Sequence, residues 1–333
     1  MITAHAYPRA ALIGNPSDGY HGKTVAFVFS NFQATVWLQE AEHLEIVPHE
    51  RDWKTYDSLA ALHDDVAQYG YYGGLRIIKG ALKRFYEHAQ QQDAQLRKGN
   101  FKLSYDSNIP NRLGLAGSSA IITATMRALM QFYNVSIQPA ILANLVLSVE
   151  TEELGIGAGL QDRVAQAYEQ PVFMDFAKQH FEQQGYGQYT PISKSLLPNL
   201  YIAYRRNLSE GSEVVHNNLR ERYRQGDQQV LDAIQEWGSL SEEFLKALQA
   251  GQQEPLHQLI NRNFDLRKEV MNLHPANLEM VATARQCGAS AKFTGSGGAI
   301  IGIYDDEQMY DDLVKTLSAI GVEVIKPEVV GQY

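Results

Sequence analysis

Apolar positions along the chain follow two rhythms. Ala10–Ile13 is a short apolar run ended by the turn residues of 14–19, and Val25–Phe29 and Ala34–Leu38 continue in β-branched and aromatic chemistry, which suits a pleated, half-buried surface. From 73 to 97 the period changes. Leu75, Ile78, Leu82 and Phe85 recur at spacings of three and four, which predicts an amphipathic helix with a polar end. Phe101–Tyr105 alternates again, as a strand. Helices are predicted over 118–133 and 139–153, the second opened by Pro139, whose missing N–H has no partner in a first helical turn. A short helix at 161–168 and a strand at 172–174 follow. Beyond a Gln/Gly-rich segment at 178–191, the pattern predicts a strand at 200–204 and three amphipathic helices near 227–249, 254–272 and 276–287. Strands near 299–304 and 322–325 flank a helix at 306–319. No repeat of fixed period is present.

Length sets the number of lobes. The 333 residues exceed the roughly 250–300 at which one hydrophobic core stops growing. The expectation is an α+β, two-lobed protein with domains at 1–185 and 186–333, the 178–191 segment marking the boundary. Hydrophobic residues make up 44% and charged residues 20%, an ordinary globular balance. A net charge of −9 argues against a mainly electrostatic grip on nucleic acid or an anionic membrane. A lone Cys287 excludes an internal disulfide framework. His5, His21, His49, His63 and His216 show no metal-ligand spacing. No apolar run approaches a membrane span, and the amino end lacks a basic stretch followed by an apolar one. The expected location is cytoplasmic, with neither nucleic acid nor membrane as partner; the oligomeric state is left open.

The candidate chemistry lies in glycine-rich turns. Asn108–Ala120 joins a strand to an apolar helix, and a helix start offers free N–H groups and a favourable dipole to an anion. Glycines let the backbone approach closely. Read alone, Ser118 or Ser119 is an N-cap and the glycines are a tight turn; the spacing matches neither G-x-x-x-x-G-K-[ST] nor G-x-G-x-x-G. Lys292–Ala299 is a second glycine-rich loop, leading into an apolar strand.

In order, Ala6–Gly14, Pro110–Ala120 and Lys292–Gly298 resemble the three motifs of the GHMP kinases, the family of galactokinase, homoserine kinase and mevalonate kinase. Two departures, an extra residue in Gly114–Ser119 and Asn15-Pro16 after Gly14, resemble the glucuronokinase branch. So do the strings 70–74, 154–166 and 263–265. The resemblance implies a two-lobed fold with the site between the lobes. It implies ATP- and Mg²⁺-dependent transfer to the anomeric hydroxyl of D-glucuronate, with small-molecule sugar acid and ATP as partners; galacturonate, galactose or a heptose phosphate are alternative substrates, and a binding protein without turnover is the reading outside the enzymes.

Site roles follow from the same resemblance. Asp162 faces the acceptor hydroxyl as base or orienting group, and Arg9 contacts it. Gly114, Leu115, Ala116, Gly117, Ser118, Ser119 and Ala120, with Gly295, Ser296 and Gly297, hold nucleotide and phosphates. Ser119 and Glu150 hold Mg²⁺, with Glu152 and Glu153 as rivals to Glu150. Asn15, Ser17 and Asp18 are candidates for sugar hydroxyls, with turn chemistry as the other reading. Asp162–Arg163 is alternatively a surface ion pair. A uronate carboxylate needs a cation, and Lys23, Arg163 and Arg205 are candidates. Lys292 is expected to pair locally, and Tyr71-Tyr72 to pack rather than stack on sugar.

Overall fold

The computed structural model describes residues 1–52, 56–63, 73–110, 113–205 and 219–332. The expectation that Tyr71 and Tyr72 pack rather than stack on sugar falls outside the described residues.

Among the described residues three four-stranded sheets carry the fold. The first comprises β1 (Ile2–Ala6), β4 (Ala34–Ala41), β6 (Asn100–Ser107) and β5 (Glu45–Ile46). Along β6 burial alternates, so Phe101, Leu103 and Tyr105 face inward, as period-two patterning requires. Helix α1 (Gly74–Gln91) packs on α2 (Gly117–Tyr133), which packs on β1 and β4. The second sheet runs β2 (Arg9–Ile13), β3 (Lys23–Val28), β7 (Val172–Asp175) and β8 (Gln188–Pro191), all antiparallel. Helices α3 (Pro139–Ser148) and α4 (Gln161–Tyr168) pack together, and α4 lies against β3. A short helix α5 (Lys178–Gln184) precedes β8.

The third sheet has the order β10 (Lys292–Phe293), β11 (Ala299–Ile303), β9 (Leu200–Tyr204) and β12 (Glu323–Ile325). Four helices accompany it: α6 (Gln228–Gln249), α7 (Glu254–Val270), α8 (Pro275–Gln286) and α9 (Glu307–Ser318). A core of its own, containing Tyr201, Phe264, Met280, Phe293, Ile300 and Leu317, lies in this half.

The structure departs from the sequence expectation in several places. The helix expected over 139–153 stops as an α-helix at Ser148 and continues as one π-helical turn, Val149–Glu153. Helix α1 ends at Gln91 rather than 97, where the chain turns through Asp93 at φ 51°. The segment 178–191, expected to mark the boundary, is structured and joined to what precedes it: it forms α5 and β8, and β8 pairs with β7 from Val172↔Pro191 to Asp175↔Gln188. A division at 185/186 therefore separates β8 from its own sheet, and the chain leaves that sheet after 191. Strand β1 was not expected, because its inward residues are the small Ala4 and Ala6.

All five residues of β2 are buried, and its backbone is held on both sides. Arg9 N–H donates to Leu115 O at 3.0 Å and Ala11 N–H to Thr294 O at 2.9 Å. The carboxy-terminal tail also returns to the first half: Val330 N–H donates to Val28 O (2.9 Å) and Ser30 N–H to Glu328 O (2.9 Å). Among the described residues no helix is long and apolar enough to cross a membrane.

Candidate active site

Arg9 joins the three glycine-associated segments. Its guanidinium donates to Gly114 O (3.2 Å) and to Thr294 O, and its Nη2 lies 2.5 Å from Asp162 Oδ1. One side chain on β2 thus contacts the loop before α2, the loop after β10 and the start of α4. The two loops also touch directly. A Cβ on Gly295 would stand 2.4 Å from Gly114 O, and one on Gly114 (φ 64°) would stand 2.9 Å from Ser296 N. Both contacts are with backbone, so only glycine fits.

The loop before α2 is anchored by buried side chains and turned sharply into the helix. Leu113 and Leu115 are buried and anchor it. Ala116 adopts φ 62° as the residue preceding the helix, a left-handed conformation that costs a non-glycine residue about 1–2 kcal/mol. Its carbonyl compensates by accepting from Ser119 Oγ (3.1 Å), Gln166 Nε2 (3.0 Å) and Ala120 N–H (3.1 Å). Gly117 and Ser118 open the helix half-exposed, whereas Ser119 and Ala120 are buried. Leu115 can offer a ligand only backbone, because its side chain is in the core.

The carboxylates are ordered by Arg163. Glu150, in the π turn, is 3% exposed, and its Oε2 accepts from Arg163 Nε (2.8 Å) and Nη2. Arg163 Nη1 donates to Gly159 O (2.7 Å) and lies 3.1 Å from Asp162 Oδ2. The surface-pair reading of Asp162–Arg163 is therefore corrected: Arg163 is buried and bridges two carboxylates. Burial raises the Glu150 pKa, with Arg163 opposing and Asp162 adding to the rise. For Arg163 burial works against the charge, yet Glu150 and Asp162 outweigh it and the pKa is raised. Glu152 and Glu153 turn the other way, Glu152 to Arg84 and Glu153 to Lys83 (2.7 Å) and Arg84 (3.0 Å). Of the three, only Glu150 faces the buried cluster. Both its contacts fall on Oε2, leaving Oε1 without a hydrogen-bond partner among the described residues.

Asp18 meets the other side of Asp162. A Cβ on Gly159 would lie 2.3 Å from Asp18 Oδ2, so this carboxylate rests on the turn leading to Asp162. Burial, then the Asp162 charge, push its pKa up to about 6, against Arg9 and Arg163. Asn15 is 3% exposed; its Nδ2 makes long contacts of 3.5 Å to Phe293 O and Gly295 O, and its Oδ1 has no partner. Ser17 differs from expectation: it is fully buried and its hydroxyl donates to Lys23 O at 3.1 Å. That bond closes the turn, which is the turn-chemistry reading.

The three expected cations are all committed. Lys23 pairs with Glu242 and Asp175, Arg163 with Glu150 and Asp162, and Arg205 with Glu279 (3.1 Å) and Ile320 O (2.6 Å). Lys292 pairs locally with Phe293 O (2.8 Å) and also reaches Ala11 O (2.7 Å) across the chain; burial, with Arg267 and Arg9 nearby, holds its pKa well below the usual lysine value.

Arg267, Asn263 and Gln166 were not expected at the site. Arg267 donates to Gly295 O (2.8 Å) and Ser296 O (3.3 Å), and burial brings its pKa down to about 10. Asn263 accepts from Gly14 N–H (2.6 Å) and donates to Asn15 O (3.1 Å). A signal existed: Leu256, Ile260, Asn263 and Arg267 form one buried stripe of α7 at spacings of four and three, where two polar side chains need a partner inside. Gln166, buried on α4, ties Tyr7 O to Ala116 O.

This chain belongs to the GHMP kinases: the family's "GHMP kinases N terminal domain" matches residues 76–170 and its "GHMP kinases C terminal" matches 244–319. ATP is the phosphoryl donor of that family, and the chain is a phosphotransferase. Within the family it is similar to glucuronokinase 1 of Arabidopsis thaliana, 44% identical over 306 residues that cover 90% of this chain and 84% of the relative. Probable glucuronokinase 2 of the same organism is 44% identical over 303 residues, 89% of this chain and 82% of the relative. The crystal structure of Lactococcus lactis galactokinase complexed with galactose shares the fold, with a TM-score of 0.75 at 14% identity over 99% of this chain and 94% of that one.

Proposed function

We propose that the protein transfers the γ-phosphoryl group of ATP to the anomeric hydroxyl of D-glucuronate, giving glucuronate 1-phosphate and ADP. The observation that carries this reading is the Arg9–Asp162 pair, a carboxylate held beside both glycine loops and 17% exposed on its side chain. Phosphoryl transfer asks the protein chiefly to position the groups and stabilise charge. Asp162 receives the hydroxyl's proton and aligns its oxygen. Arg9, fixed by Gly114 O and Thr294 O, holds that carboxylate in place. The N–H groups at the start of α2 face the phosphates. The anomeric oxygen forms the new P–O bond as the bond from the γ-phosphorus to the β,γ-bridging oxygen breaks, and ADP leaves with that electron pair.

Magnesium fits the donors present. Hard-oxygen ligands suit it, and it commonly keeps several waters. Among the described residues no group of three or more His, Cys, Asp or Glu could hold a metal ion, so the protein's share is one carboxylate and one hydroxyl. Glu150, with its uncommitted Oε1, and Ser119 would supply them. When bound, the ion would neutralise phosphate charge.

Phosphorus NMR combined with ADP release on glucuronate, galacturonate, galactose and glucose tests the reading. The expected result is an anomeric phosphate formed from glucuronate far in excess of the others. Asp162→Asn is expected to lower kcat by roughly 10²–10⁴-fold with ATP affinity retained. Wild-type turnover in that variant would remove Asp162 from its role, and preference for another sugar would replace the substrate.

A further inference from the structure

The turn Gly155–Gly159 leads from the Glu150 cluster into Asp162, and charged side chains lie close against two of its glycines. Only Gly155 has a positive φ, 66°. Gly159 has Asp18 against it, and Gly157 has the Arg220 guanidinium: a Cβ there would stand 3.2 Å from Arg220 Nη1 and 3.7 Å from Nη2. Arg220 is half-buried in the helical residues 219–224. Two positions on, Arg222 pairs with Asp227 (2.7 Å) and donates to Val270 O (2.6 Å). Residues two apart lie ~200° apart around a helix, so Arg222 fastens the helix while Arg220 faces the glycine turn. The Tyr20 hydroxyl faces the same guanidinium, and the Tyr20 ring packs on Tyr223 with centroids 4.8 Å apart.

Resting on the glucuronate reading above, we propose that Arg220 is the residue that receives the carboxylate of the sugar acid. Three observations lead there. No carboxylate among the described residues pairs with Arg220, whereas Lys23, Arg163 and Arg205 are all engaged. Arg9 is engaged by Asp162, and Arg267, another guanidinium nearby, is 1% exposed and already donates to the Gly295 and Ser296 carbonyls. The third observation is the order of groups along the turn. Asp162 stands at the reacting end, Asp18 lies on Gly159, and Arg220 lies on Gly157. A hexuronate presents matching groups: the anomeric hydroxyl, then ring hydroxyls, with the carboxylate on the carbon across the ring oxygen. A guanidinium fork also matches a carboxylate in two parallel hydrogen bonds, which an ammonium cannot do.

Calorimetry on the intact protein separates this role from a structural one. D-glucuronate and its neutral isostere D-glucuronamide are titrated into wild type, Arg220→Gln and Arg220→Lys, with ATP-analogue affinity measured on each sample. Wild type is expected to prefer the acid by about 10–100-fold, the range of a hydrogen-bonded charge. In Arg220→Gln that preference should fall to within about threefold, with amide and nucleotide affinities little changed, and Arg220→Lys should recover part of it. Because the readout is a ratio on one sample, partial misfolding does not imitate it. A preference for the acid that survives in Arg220→Gln overturns the assignment while leaving the glucuronate reading intact. Failure of wild type to bind or turn over glucuronate, with turnover of another sugar, overturns both.

Discussion

Burial and the neighbouring Asp162 raise the Asp18 carboxyl to about 6, against the pull of Arg9 and Arg163. The sign of its effect on stability follows from linkage. A carboxyl whose folded pKa exceeds its unfolded value of 3.8 opposes folding increasingly as pH rises from 3.8 towards 6, and by a constant amount above that. Asp18→Asn is therefore expected to stabilise the ligand-free protein at pH 8 by on the order of 1–3 kcal/mol. The gain should shrink as pH falls through 6 and vanish below about 4; denaturant midpoints across that range measure it. Activity should fall in the same variant if Asp18 accepts a sugar hydroxyl. At this scale the sequence was legible where a motif names the residue type, as at Arg9, Asp162 and Gly114. It was not legible at Arg163. Next to Asp162 in sequence, that side chain reaches Glu150 thirteen residues back, which neighbour order does not reveal.

Among the elements, the close approach of the two glycine loops is the most sensitive contact. Gly295→Ala places a methyl group against the Gly114 carbonyl, and neither backbone has a flexible end that can yield. The loops must separate, and Arg9 then loses either Gly114 O or Thr294 O. Nucleotide affinity should drop by about tenfold or more and kcat with it, as small misplacements at a reaction centre do. Equilibrium binding of an ATP analogue, beside steady-state rates, tests this; unchanged affinity would mean the loops do not jointly shape the nucleotide site. Periodicity located helices such as α1 and α6 because they bury apolar residues at spacings of three and four. It failed at Val149–Glu153, since a π turn keeps helical composition while changing which residues share a face. It failed again at β8, where an exposed edge strand of Gln188–Pro191 carries no alternating apolar signal.

Across the whole molecule, the two halves are tied at β2 and again by the tail. Residues 326–332 hold the corner after β3 through Val330 to Val28, Glu328 to Ser30, Lys326 to Asn31, and Gln332 to Lys194. Deleting 327–333 removes several of these bonds and exposes the edge beside Phe29, a core residue. Each 1 kcal/mol lost lowers Tm by roughly 2–4 °C in a protein of this order of size. A fall of several degrees is expected, with KM for ATP little altered, since the tail touches neither glycine loop. A thermal melt of the shortened chain checks it.

The reach of Arg9 has a consequence for how the protein is made. Its carbonyl partner Thr294 lies 285 residues further along the chain, and synthesis at about 5–20 residues per second proceeds from the amino end. While the chain is still growing, β2 can pair with β3 and Arg9 N–H with Leu115 O, but Ala11 N–H has no partner on that flank and the Arg9 guanidinium lacks one of its acceptors. The first half therefore waits on the ribosome with an unfinished, charged seam. The seam closes only once residue 294 has been made, and a nascent chain that stalls short of it leaves that seam open to chaperones and proteases.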